Sequence, residues 1–455
     1  MVNLTYGVTD RPPFPKLLLS ALQQILAILA ATIAVPAIIG NGMSQSAALF
    51  GAGVGTLVYL LFTKFKSPVF LGSSFAFLGS MSAAFAGAIT VSAGYMGLIM
   101  GALFAGLVYV VLALIVKFAG TDWINKLMPA IIIGPTVAII GLSLAGNAVG
   151  DLIGHPVDGV FTEFNYASLC VGLVTLFATI ICSVYGKKFL KMIPFIIGII
   201  CGYIVAAILT GIGHAANVDG LKLIDFSLFN NMKWVPDFTF VTAFTNLGDF
   251  GDAGTFFTYM GTIFVAYVPV AFVVFAEHIA DHKNLSSIIG QDLTRDPGLH
   301  RTLLGDGVGS FAGAFFGGCP NTTYGESIGC VAISGNASIW TILTTAIMAI
   351  IFSFFAPFVT LLATIPACVM GGVCMALYGF IAVSGLKMLQ GIDLNDNRNL
   401  FVVSVILIAG IGGLVVTFGK VTITAVASAL ILGIVVNQLV RIKKPNKEEE
   451  DKFIE

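Results

Sequence analysis

Charge is scarce in this sequence. Asp, Glu, Lys and Arg make up only 10% of its 455 residues, while 57% are hydrophobic; an ordinary soluble domain is roughly a quarter charged. The shortage excludes a water-facing fold, because a chain of this length has nowhere to hide so much apolar surface. Cysteine is scarce too. The seven, Cys170, Cys182, Cys201, Cys319, Cys330, Cys368 and Cys374, are odd in number, lie in or beside apolar stretches and show no CxxC spacing, so they read as small buried hydrophobes and not as disulfides or metal ligands. A metal-ligand cluster, a nucleotide-binding loop and a nucleophile paired with a base are all missing. The glycine run "GDGVGS" at 305–310 lacks the strand context of a dinucleotide loop. No enzyme, cofactor or metal is expected, and no nucleic-acid partner.

What is present is apolar sequence in blocks of about twenty residues, the length that spans a bilayer as helix. Fourteen such blocks lie near 17–40, 45–63, 69–89, 94–116, 126–146, 166–185, 190–211, 256–280, 302–318, 324–338, 340–364, 367–388, 399–417 and 421–440. The first follows "TDRPPFPK" and runs on without a small-residue cleavage site, so it reads as a span and not as a signal peptide. With the N-terminus inside, Arg11, Lys16, Lys64, Lys66, Lys117, Lys126, Lys187, Lys188, Lys191, Lys283, Arg295, Arg301, Lys387, Arg398 and the tail "RIKKPNKEEEDK" all fall on the cytoplasmic side. Only Lys222, Lys233 and Lys420 fall outside. The expectation is a multi-pass protein of the cytoplasmic membrane with both termini cytoplasmic.

The longest polar interruption, about 212–255, divides the spans seven and seven, and an odd number per half sets the halves in opposite orientations, as in an inverted repeat. In the third span of each half the apolar run is broken, by "SPVFLGSSFAFLGS" at 67–80 and by "GGCPNTTYGESIG" at 317–329. Non-helical backbone at membrane depth survives only where protein or a ligand cavity satisfies it, and interrupted spans in matching positions point to a transporter's binding site. By contrast "GAGVGTL" at 51–57 reads as a small-residue packing face. The predicted fold class is therefore an all-α polytopic membrane protein of fourteen segments, a 7+7 inverted repeat with short extended breaks in spans three and ten.

Four acids fall within apolar spans: Glu277, Asp281, Asp306 and Glu326. An acid at a membrane helix centre costs roughly 2.5–3.5 kcal/mol, which makes function the default inference. Glu277 and Asp281 are one helical turn apart on one face. Asp281 has a rival reading as the solvated end of its span, the reading preferred for His282 beside Lys283, and Asp306 a rival reading as a neighbour of Arg301. Glu326 opens a resumed helix, where free N–H groups and the helix dipole favour an anion. Backbone N–H groups from "SSFAF" and "TTYGE", carboxylates that accept N–H, and the flat faces of Phe75, Tyr324 and Tyr378 suit a small planar solute with alternating C=O and N–H, such as a nucleobase.

"AEHIADH", "DLTRDPGLHRTLLGDG", "PNTTYGESIGCVAISG", "LGSSFAF", "GVTDRPP" and "VMGGVCMALYGFIAVSGLKML" strongly resemble the uracil permeases of the nucleobase/ascorbate transporter family over nearly the whole chain. The resemblance implies core segments at 1–120 and 251–365, gate segments at 121–250 and 366–455, a homodimer, and proton symport by movement of core against gate. It implies that Glu277 and Glu326 bind substrate, that Phe75 and Gly325 give backbone contacts, that Ala31, Tyr324 and Tyr378 line the pocket, and that Glu277, Asp281 and Glu326 handle the proton. Ser74, Ser327 and Asp306 are further candidates. Two departures stand out: Asp281 replaces the histidine usual there, and Ser327 an asparagine. Asp281 and Asp306 keep a xanthine or mixed nucleobase symporter, driven by H+ or Na+, open beside uracil. A channel is the more distant alternative.

Overall fold

The computed structural model of the chain describes residues 4–120, 122–153, 165–187, 190, 193–245, 253–418 and 421–441. Lys188, Lys191, Lys420 and the tail from residue 442 onward, which entered the orientation argument, lie outside the described residues, as does the 246–252 part of the central polar stretch.

Runs that are apolar on every face make buried and membrane-facing helices the dominant element. The first half contains α1 (Phe14–Ile39), α2 (Gln45–Phe62), β1 (Leu71–Ser73), α3 (Leu78–Ala86), α4 (Val91–Ala119), α5 (Asp122–Leu127), α6 (Ala130–Ser143), α7 (Ala145–Ile153), α8 (Tyr166–Tyr185) and α9 (Pro194–Ala216). After α10 (Thr239–Thr245) come α11 (Ala253–Ile289), α12 (Leu299–Gly317), β2 (Asn321–Thr323), α13 (Gly325–Ser334), α14 (Ile339–Ser353), α15 (Ala356–Ala363), α16 (Ala367–Lys387), α17 (Asn397–Ile411), β3 (Val416–Phe418), β4 (Val421–Ile423) and α18 (Ala425–Arg441). Among the described residues eight helices are long and apolar enough to cross a membrane, or nine if α14 and α15 form one span. The chain is a multi-pass, helical membrane protein.

Both expected breaks are extended: span three opens with β1 and span ten with β2, each followed by a short helix. Three expected spans are corrected. Span eleven bends by 82° between α14 and α15, where Pro357 in the first turn of α15 has no N–H with which to continue α14. Span thirteen stops at Ile411, because Gly412 and Gly413, the latter at φ +70°, end the helix and the β-branched residues beyond form the β3–β4 hairpin. Span eight runs on past residue 280 to Ile289, two further turns.

The helices pack in two groups, α1–α4 with α11–α14 and α6–α9 with α16–α18. Within the first, α2 and α12 cross through glycine. A Cβ added at Gly309 would stand 2.7 Å from the carbonyl oxygen of Gly55, and one at Gly106 of α4 would stand 2.9 Å from that of Gly307. The "GAGVG" stretch is thus a packing face, as small residues at membrane helix crossings generally are. Gly309→Ala should destabilise by about 1–3 kcal/mol, because the Gly55 backbone, unlike the nearby Leu71 side chain, cannot swing aside. Gly261→Ala, where an added Cβ meets nothing within 4 Å, should be neutral. Thermal melting of the two detergent-purified variants checks this.

Candidate functional site

The two breaks meet each other. β1 and β2 pair antiparallel in the register Leu71 with Thr323, Gly72 with Thr322 and Ser73 with Asn321, and the ladder is extended at its ends by Ser74 N–H to the Pro320 carbonyl (2.9 Å) and Tyr324 N–H to the Phe70 carbonyl (3.1 Å). Its outer edges are met by side chains. Thr56 Oγ1 accepts from Leu71 N–H (2.9 Å), Ser327 Oγ accepts from Phe70 N–H (3.1 Å), and the Tyr324 hydroxyl donates to the Ser73 carbonyl (2.9 Å). The Asn321 amide reaches back to the Gly51 carbonyl (3.1 Å). Buried backbone therefore finds partners although no helix runs there.

Just beyond the ladder the chain becomes helical again on both strands, and neither start is capped by its own side chain: Ser74 and Tyr324 make no capping hydrogen bond. First-turn N–H groups have no intrahelical partner. Phe75 and Ala76 on one side, and Gly325 and Glu326 on the other, line the same cavity of about 330 Å³. Glu277, Asp281 and Asn284, successive turns of one face of α11, form another wall. The cavity lies between the two helix groups, for Val137, Phe195, Phe380, Ile381, Ser384 and Met388 close it from the second. Thr323 Oγ1 donates to Asp281 Oδ2 at 2.6 Å, tying the α11 carboxylate to β2.

Of the residues singled out from the sequence, Glu277, Asp281, Glu326, Phe75, Tyr324 and Gly325 line this cavity. Ala31, Tyr378, Ser74, Ser327 and Asp306 do not. Ala31 is buried one turn past Ala27, which takes the lining position on α1, and Tyr378 stands behind Phe75, edge to face with ring centroids 5.5 Å apart. Ser74 and Ser327 are both buried. They serve the ladder, Ser74 through its N–H and Ser327 through its hydroxyl. The wall from α6, α8, α9 and α16 has no counterpart among the expected site residues, since its apolar and serine residues carry no signal of their own; Asn284, at helical spacing from Glu277 and Asp281, is within reach of periodicity.

Asp306 is buried and pairs with His278, whose Nδ1–H donates to Asp306 Oδ2 at 2.7 Å while Nε2 lies 3.0 Å from Thr302 Oγ1. The expectation of a solvated His282 is overturned. Because α11 continues to Ile289, His282 is buried, donates from Nδ1 to the His278 carbonyl (2.8 Å), has Nε2 2.7 Å from the Tyr59 hydroxyl and stacks on His278 at 4.0 Å. His278→Phe, which strips Asp306 of its donor in a buried place, should cost at least about 1–3 kcal/mol and show as a lowered melting temperature.

The comparisons with known proteins agree with this architecture. A family model described as "Permease family" matches residues 15–419. The chain is similar to a uracil permease of Bacillus caldolyticus, with 40% identity over 435 residues, 94% of this chain and 93% of that protein. It is similar to uracil permeases of Bacillus subtilis (strain 168), with 38% identity, and Escherichia coli (strain K12), with 33%, each covering 99% of this chain and 97% of that protein. Among solved structures, the transmembrane domain of a cyanobacterium bicarbonate transporter, BicA, superposes with a TM-score of 0.64 at 16% identity, covering 96% of this chain and all of that one. Murine Slc26a9, an anion transporter in the inward-facing state, superposes at 0.66 and 14%, covering 95% and 69%. At such identities these two show a shared fold.

Proposed function

This chain belongs to the Permease family, and from that premise we propose that it is a secondary active transporter that imports uracil by proton symport across the cytoplasmic membrane, its termini inside. The observation that carries the reading is the cavity itself. Two uncapped helix starts and three carboxylates converge on one space of about 330 Å³ between two helix groups. Uracil is planar, with two carbonyls to accept from backbone N–H and two N–H groups to donate to carboxylates, and Phe75 and Tyr324 offer flat faces to its ring. The names of the curated relatives support the choice of base.

The two packing groups support a core of 1–120 and 251–365 moving against a gate of 121–250 and 366–455, with the site at the boundary; the antiparallel β1–β2 pair supports a 7+7 inverted repeat of fourteen segments. A homodimer formed through the gate belongs to the same reading. Uracil is neutral, so accumulation against its gradient needs an ion. One proton carries about 2.3 kcal/mol per 100 mV, enough for roughly fifty-fold. The alternative, a xanthine or mixed nucleobase symporter with H+ or Na+, keeps the support of Asp281 in the cavity but loses that of Asp306, which faces His278 instead. Uptake into proteoliposomes across a panel of bases, with proton and sodium gradients imposed separately, tests the reading; xanthine competing as strongly as unlabelled uracil would overturn the choice of base.

Glu326→Gln should largely abolish uracil binding, because an amide is a weaker acceptor than a carboxylate and can turn its NH2 toward the base; unchanged affinity of the purified variant counts against Glu326 as a ligand. For Asp281 the expectation is sharper. It lies one turn from Glu277 in the same cavity, where two close carboxylates cannot easily both ionise and so share a proton. Asp281→Asn should leave counterflow exchange of labelled uracil near the wild-type rate, since exchange moves no net proton, while uphill uptake under a pH gradient fails. Normal accumulation by the variant would remove Asp281 from the coupling.

A further inference from the structure

A second, much smaller cavity lies apart from the first, where α4, α12 and β2 meet. Its volume is about 10 Å³, and its walls include Tyr109, Asp306, Ser310 and Asn321. Tyr109 is 3%, Asp306 1% and Asn321 2% exposed, and each of these three lining residues has one buried polar atom with no hydrogen-bond partner in the protein: Tyr109 Oη, Asp306 Oδ1 and Asn321 Oδ1. The other polar atoms of the Asp306 and Asn321 side chains are engaged, Asp306 Oδ2 by His278 and Asn321 Nδ2 by the Gly51 carbonyl. Buried polar atoms are rarely left unsatisfied, and three around one space need a common partner.

The geometry points to a single resident water molecule in this cavity, donating one hydrogen to Asp306 Oδ1 and the other to Asn321 Oδ1 and accepting the Tyr109 hydroxyl proton. The inventory is two acceptors and one donor, which is what one water satisfies, and the space admits one water-sized sphere. A sodium ion would need oxygen ligands only, with the Tyr109 proton turned away, and more of them than these side chains supply. The site has a structural consequence. Asn321 is the first residue of β2 and pairs with Ser73, so the water joins the strand pair to the Asp306–His278 contact between α12 and α11, and to α4. Asp306 thereby braces the strand that precedes Tyr324, Gly325 and Glu326, without touching the first cavity.

The test is a double-variant cycle on the full-length protein, read as melting temperature in detergent, with a density map of the wild type. Tyr109→Phe and Asn321→Ala each lower the melting temperature; if they share a water, the double variant falls by clearly less than the sum, although the two side chains share no direct hydrogen bond. In a map that resolves other buried waters, a peak stands within hydrogen-bond distance of all three atoms. Additive shifts, or no peak, overturn the proposal. So does a melting temperature that rises with sodium chloride but not with choline chloride, and does so in the wild type but not in Asp306→Asn, for the occupant is then a cation.

Discussion

Backbone at the depth of the hydrocarbon has no water to bond to, and every amide that leaves a helix there must find a protein partner. The β1–β2 ladder meets that demand at the one level where both broken spans need it, and much else follows from it. The two breaks satisfy each other by running antiparallel side by side, so the segments that carry them approach from opposite directions. The strand edges left over are met from neighbouring helices by Thr56 and Ser327, and Asn321 ties the pair to α2 through the Gly51 carbonyl. That contact depends on glycine: a Cβ at Gly55 or Gly313 would occupy the place of the Asn321 side chain.

Just beyond the ladder the two helix starts carry first-turn N–H groups with no intrahelical partner. These face one cavity and give it a donor-rich rim opposite the carboxylates of α11. Charge is thus divided by environment. Glu277, Asp281 and Glu326 stand around the cavity, half-buried, where a solute or a proton can reach them, whereas Asp306 is closed off and held by His278. A carboxylate at membrane depth is thus open to a cavity in one case and a strut between α11 and α12 in the other.

The breaks and the three cavity carboxylates were legible because each violates the composition around it: an acid, a proline or a run of small polar residues stands out in a sequence with 10% charge. Hydrophobic blocks likewise marked where helices lie. What composition does not carry is which side of a helix meets which neighbour. Ala31 and Ala27 are the same residue one turn apart, and only the packed structure shows that Ala27 is the one lining the cavity. Phe195 and Ile381 line the cavity because a second helix group packs there, and nothing local distinguishes them from exposed apolar residues such as Ile200 or Phe401.

His282 shows the same limit from the other direction. Beside Lys283 and near the close of an apolar block, it has the sequence surroundings of a solvated helix end, yet α11 runs on to Ile289 and the ring is buried against His278 and Tyr59. The partner that makes burial tolerable, Tyr59, is 223 residues away. Hydrophobic blocks measure how much of a helix is apolar, whereas its end is set by where polar groups stop finding protein partners. A histidine that can donate to the carbonyl one turn earlier and meet a tyrosine across the interface lets the helix stay inside the protein past the point at which composition alone would bring it out.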